Sequence, residues 1–158
     1  MDLQVLIGLF LTLVPFIELR GGLPVIVEYA VRNGASVWPY FLIVLVLNIL
    51  LIFLIFAFFD LLHETFMRWK WYRGFIGRVL RRVQKKTHKI EKRMDNWGYL
   101  ALMLFVAVPL PLTGAWTATI AAWAMGLDRL KSFVAIATGI IIAGLLVLLF
   151  SLGFFGLY

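Results

Sequence analysis

Two stretches without a single charged residue, 36–59 and 132–158, restrict this chain more than any other feature of it. At 24 and 27 residues, each is long enough to cross the ~30 Å hydrocarbon core of a bilayer as a helix. In lipid every backbone N–H and C=O must find its partner within the segment, which leaves helix as the conformation open to them. Composition agrees: 63% of the residues are hydrophobic, against roughly 45–50% in a soluble domain, and the mean hydropathy is +0.99. At 158 residues the chain reads as one membrane domain, 1–158, without room for a separate soluble module. It has no cysteine, which excludes disulfides and thiolate metal sites. The N-terminus lacks a basic leader and a small-residue cleavage site, so it reads as part of the mature protein.

Two further apolar stretches are each broken near the middle by proline and glycine. The first break is Pro15-Phe16-Ile17-Glu18-Leu19-Arg20-Gly21-Gly22-Leu23-Pro24; the second is Pro109-Leu110-Pro111-Leu112-Thr113-Gly114-Ala115-Trp116-Thr117. The arms beside the first, residues 3–17 and 23–30, are too short to span, since a crossing helix needs about 20 residues. They are expected to enter halfway and turn back, with Pro15, Gly21, Gly22 and Pro24 in the turn. Residues 97–127, uncharged and broken near their centre, read the same way. The alternative for each is an ordinary kinked spanning helix. Paired breaks in two halves point to a transporter's binding site, because unwound backbone at membrane depth survives only where it is buried or lines a cavity.

The layout repeats. Gly21 stands opposite Gly114 and Gly34 near Gly126, with offsets of 93 and 92 residues, and the first long run starts 97 residues before Phe133. The first repeat is 1–59 (hairpin 3–32, span 36–59) and the second 97–158 (hairpin 97–127, span 132–158), joined by a linker, 60–96. A hairpin plus one crossing traverses the membrane an odd number of times, so the second half is expected upside down relative to the first. The predicted fold is an all-α integral membrane protein, an inverted repeat of two units. Each unit is a re-entrant helical hairpin plus a transmembrane helix, and a cytoplasmic amphipathic helix joins them.

Charge sets the orientation. Of fifteen Lys and Arg residues, eleven lie between Arg68 and Arg93 beside one acid, Glu91, so that segment carries +10 and the rest of the chain −3, for a total of +7. The positive-inside rule places the linker in the cytoplasm of a cell-membrane protein and both termini outside. Trp69, Tyr72, Ile76, Val79, Val83, Ile90, Met94 and Trp97 recur at three- and four-residue spacings with one missing turn around Lys86-Thr87, the apolar stripe of an amphipathic helix with a cationic face. Arg78, Arg81, Arg82, Lys85, Lys86 and Lys89 on that face are expected to meet anionic lipid headgroups. Tethering between two spans argues against a nucleic-acid partner, and packing on another subunit is a second use for the stripe.

The breaks hold the candidate site. Glu18 and Arg20 flank Leu19 where the first hairpin turns, and charges near the bilayer centre usually pair and mark a pathway. Glu18 reads as a protonation or cation site and Arg20 as an anion site; the competing reading is that the two neutralise each other and stiffen the loop. Gly21 and Gly22 would admit a ligand close to the backbone, and a helix beginning near Leu23 or Pro24 would aim its positive end there. The second break offers the Thr113 and Thr117 hydroxyls, the Trp116 indole, Gly114, and carbonyls freed by Pro109 and Pro111. Asn48, in mid-span, needs a partner. Gly139 with Ala143, or Gly144, offers a small-residue face for a homodimer. No nucleophile–base pairing, metal-ligand spacing or phosphate loop appears, so neither an enzyme nor a cofactor is expected.

These two breaks also resemble a family signature, that of the small multidrug export proteins of prokaryotes, which are regarded as distant relatives of the DedA superfamily. The resemblance covers nearly the whole chain. It implies two re-entrant hairpins facing each other beside the spanning helices. Some DedA members are implicated in returning polyprenyl-phosphate carrier lipids across the membrane and some eukaryotic relatives scramble lipids, with proton coupling suspected. DedA proteins carry arginines in the second hairpin motif, whereas residues 100–127 here have no basic residue. Three function classes follow: a transporter or flippase for an amphipathic, anionic or lipid-linked substrate, coupled to protons or sodium; an efflux carrier for lipophilic cations; and a non-transporting membrane scaffold.

Overall fold

A computed structural model describes residues 2–66, 97–110 and 113–156, with backbone alone for 63–66. The described residues form six helices and no strand: α1 (Leu3–Leu13), α2 (Glu18–Arg32), α3 (Trp38–Phe66), α4 (Trp97–Ala107), α5 (Ala115–Ala124) and α6 (Arg129–Phe155). The cationic face of the linker, Arg78 to Lys89, and Pro111 lie outside the described residues.

Two of the helices, α3 and α6, are long and apolar enough to cross a membrane. Their 29 and 27 residues amount to ~44 and ~40 Å at 1.5 Å per residue. Helix α3 opens with Pro39 in its first turn, where a missing N–H costs nothing, and continues past the apolar run through Asp60. Helix α6 opens at Arg129, three residues before its run, because Asp128 caps it by accepting from the Lys131 amide at 2.9 Å. The other four helices are short, 11, 15, 11 and 10 residues, or about 15–23 Å each.

The first turn differs from the expectation. It occupies residues 14–17 with Pro15 alone of the four named residues, and Gly21, Gly22 and Pro24 lie inside α2. Backbone packed away from water keeps its hydrogen bonds within the helix, so α2 continues through them. Gly22 serves packing: a Cβ there would strike Thr12 and the Gly8 carbonyl of α1, and one at Gly8 would strike Ile26. Contacts pair Asp2 with Tyr29, Gln4 with Val25 and Thr12 with Gly22, so α1 and α2 are antiparallel.

The long helices are antiparallel too. Phe53 stacks on Phe133 with centroids 4.4 Å apart, Asp60 pairs with Arg129, and Phe41 and Leu45 lie against Gly144. Each short second arm packs on the long helix of the other half: Leu19 of α2 against Gly144 of α6, and Trp123 of α5 against Phe59 and Asp60 of α3. Helices α2 and α5 end in the same motif. Gly34 (φ 62°) and Gly126 (φ 65°) take the left-handed conformation. Ala35 N–H donates to Ala30 C=O at 2.8 Å, and Leu127 N–H to Ala122 C=O at 3.0 Å. This is the Schellman turn that glycine permits.

The core lies where α2, α3, α5 and α6 meet, around Leu23, Ile26, Val44, Ile52, Ala118, Ile136 and Ile140. Outside it, Leu42, Leu50, Leu54, Leu149, Phe150 and Phe154 are more than half exposed, as suits a surface solvated by lipid. The small residues of α6 face inward. A Cβ on Gly139 would come to 2.7 Å from the Met103 carbonyl of α4, and Ala143 is fully buried. The stripe expected to form a dimer face is therefore occupied within the chain.

Candidate functional site

The two breaks meet at mid-molecule and exchange polar groups. Phe16 (φ 71°) and Glu18 (φ 50°) both take the left-handed conformation, uncommon for residues with a side chain and a strain that surrounding contacts must hold. The strained turn brings Glu18, 3% exposed, against the start of α5. Its two oxygens accept from the backbone N–H of Ala115 and of Trp116, each at 3.0 Å. Those amides belong to the unpaired first turn of α5, whose dipole favours an anion. Glu18 thus caps a helix 97 residues further along the chain.

Arg20 answers the other end of the same break. Its guanidinium donates to the carbonyls of Val106 at 2.9 Å and Val108 at 3.3 Å, and to that of Thr113. These carbonyls lie at the end of α4 and in the following loop, where a cation belongs. Glu18 and Arg20 share no hydrogen bond, as the competing reading of a local ion pair would require; each bonds to backbone groups of the opposite half. Arg20 Nε keeps no hydrogen-bond partner.

The remaining candidates divide. Gly114 is needed for contact rather than flexibility: with φ −126° its backbone suits any residue, but a Cβ there would fall on the Glu18 carboxylate. The Thr113 hydroxyl donates within its own loop to Val108 and Leu110, each at 2.9 Å. Thr117 Oγ1 accepts from the Gly114 amide at 3.1 Å. Trp116 contributes its amide to Glu18 while its buried indole N–H has no partner. Asn48 is fully buried, its Nδ2 donating to Val44 C=O at 3.2 Å and its Oδ1 unpartnered.

A groove opens beside this junction. It has a volume of about 560 Å³ and is lined by Arg20, Pro24 and Pro109 on one side and Val147, Phe150, Ser151, Phe154 and Phe155 of α6 on the other. Pro24 and Pro109, expected in the site, are its walls. Sequence reasoning missed a second polar cluster at the linker end. Asp60 pairs with Arg129 and accepts from the Trp123 indole at 3.0 Å, tying α3, α5 and α6 together. The available signal was charge: Asp60 ends the first uncharged run and Arg129 shortly precedes the second.

The family model described as "Putative small multi-drug export protein" matches residues 18–146. The match begins at Glu18, within the first break, takes in the whole of the second and ends in α6. Neither the curated proteins nor the solved structures include a match to the chain. The chain belongs to the small multidrug export family, whose description is that of an export protein and not of an enzyme.

Proposed function

We propose that this member of the small multidrug export family is a secondary transporter that moves an amphipathic anion along the groove beside Arg20, with protonation of Glu18 as the coupling event. A lipid-linked phosphate is the substrate class that fits first, in the manner of the DedA resemblance. The observation that carries the reading is the groove. Its volume of about 560 Å³ is that of a ligand site, which typically holds ~300–1,000 Å³. It is apolar except for one guanidinium and the Ser151 hydroxyl, and that guanidinium has carbonyl partners and no carboxylate. An amphiphile entering from the bilayer would lay its chain along Val147, Phe150 and Phe154 and bring its headgroup to Arg20.

Glu18 serves as the latch. Both its oxygens accept from α5 amides, and a proton on either turns an acceptor into a donor facing an N–H. Protonation therefore releases the α5 N-terminus, which then offers its amides to the anion. A lipophilic cation, the alternative cargo, would have to compete with backbone amides for the Glu18 carboxylate.

The reading takes the short arms as re-entrant hairpins, the halves as an inverted repeat, the linker as cytoplasmic and the termini as outside, with no cofactor. Antiparallel long helices, the exchange of short arms between halves and the shared Schellman turns support it. So do arms shorter than the ~30 Å core. Membrane lipids are the expected partners.

The test uses protein reconstituted in liposomes. Dithionite reduction of NBD-labelled phosphatidylglycerol should report movement of the anion across the bilayer, lost in Arg20→Gln and insensitive to pH in Glu18→Gln. Ethidium should stay where it is placed. Transport of ethidium that survives Arg20→Gln would replace the anion reading with cation efflux.

A further inference from the structure

Apart from Thr117, five serines and threonines have side chains described in the helices, and they behave in two ways. Thr12, Thr138 and Ser151 bond back to the carbonyl four residues earlier, at 2.9, 2.8 and 2.7 Å. That is the default for a hydroxyl in a helix surrounded by apolar groups. Thr119 of α5 and Ser132 of α6 are fully buried and do not: neither oxygen has a hydrogen-bond partner. A buried polar atom without a partner calls for an explanation, and ordered water is the usual one.

Their positions are ordered. Ala115, Thr119 and Trp123 follow at four-residue steps on one face of α5, with the Glu18 carboxylate at the Ala115 end and Asp60 at the Trp123 end. The eight steps from Ala115 to Trp123 cover ~12 Å, with Thr119 halfway. Ser132 lies one turn inward from Arg129, the partner of that same Asp60. On α3 the unpartnered Asn48 Oδ1 belongs to the face that also carries Ile52, Phe56 and Asp60, and it lies three turns inward.

We infer that Thr119, Ser132 and Asn48 line a file of buried water that runs from Asp60 at the linker end to Glu18 at the centre and delivers the proton to it. The inference rests on the reading of Glu18 as the group that is protonated. A proton taken up at the linker end passes along the water as one O–H bond forms and the next breaks. It ends as an O–H on Glu18, and Asp60 and the hydroxyls return to their starting state. Among the described residues, Arg20 is the further charge beside Glu18, and Arg129 pairs with Asp60 where the route starts. Helix α1 from Leu3, α3 before Asp60, α4, α5, and α6 after Lys131 carry no charge.

The experiment compares Thr119→Val and Ser132→Ala, which keep the approximate shape of each side chain and remove its one polar atom. Hydrated groups lose bonds to water on substitution, so the thermal midpoint should fall. In a dry site, removal of an unsatisfied polar atom raises it, and a rise would overturn the inference. The second readout is the infrared band of a protonated carboxyl after a pH jump applied to liposome-reconstituted protein. Glu18→Gln identifies the band by its loss. Thr119→Val and Ser132→Ala should slow its appearance several-fold while Thr119→Ser keeps the wild-type rate. Unchanged rates in the apolar variants would overturn the proton route. A band absent from the wild type, or untouched by Glu18→Gln, would instead remove the reading of Glu18 on which the route depends.

Discussion

Gly114→Ala isolates the contact between the two breaks without altering either charged residue. The backbone at Gly114 accepts alanine (φ −126°, ψ −166°), so the entire effect arises from the new methyl, which would occupy the space of the Glu18 carboxylate. Either Glu18 leaves or α5 moves, and both routes break the two bonds to Ala115 and Trp116. A hydrogen bond to a charged group contributes about 1.5–3 kcal/mol, so the loss of both is about 3–6 kcal/mol. At ~2–4 °C per kcal/mol for a chain of 150–250 residues, the thermal midpoint should fall by about 6–24 °C. The assay is a double-mutant cycle by tryptophan fluorescence in detergent. In a Glu18→Ala background the carboxylate is already gone, and Gly114→Ala should then cost almost nothing further. Losses that add, or a Gly114→Ala protein as stable as wild type, would refute the cross-capping argument.

Two further outcomes follow from packing and charge. Gly22→Ala should separate α1 from α2 and destabilise by about 1–3 kcal/mol, the range for overpacking a tight contact. Gly153→Ala, which has nothing within 4 Å, should leave the midpoint unchanged or raise it. In intact cells, cysteines at positions 2 and 158 should react with an impermeant thiol reagent added outside. One at position 85 should not, and its labelling would invert the proposed topology.

The long helices were legible because lipid leaves a charge-free run of 24 or more residues little choice but helix. The breaks were visible as proline and glycine, but their inner geometry was not. Gly21, Gly22 and Pro24 look like turn residues by the rules of water, where an exposed backbone has a second partner. In this fold Gly22 instead admits α1, and Pro24 becomes a groove wall. The fate of Glu18 and Arg20 could not be read locally either. Their partners are backbone amides and carbonyls 86 to 98 residues away, which any sequence would supply and none announces. Asn48 was recognisable as a polar residue in a span. Thr119 and Ser132 were not, since only the structure distinguishes a hydroxyl that bonds to its own helix from one that does not.

The exchange of caps between halves bears on how the chain is made. Glu18 and Arg20 leave the ribosome about 90 residues before the groups that satisfy them. At ~5–20 residues per second they wait some 5–20 seconds for Val106 to Trp116 to appear. On the proposed re-entrant topology a carboxylate and a guanidinium cannot rest alone in hydrocarbon for that time, so the first hairpin would stay in contact with water or the insertion machinery until the second arrives. Biogenesis of this small protein is thus a concerted event in which the earlier half settles only when the later one docks.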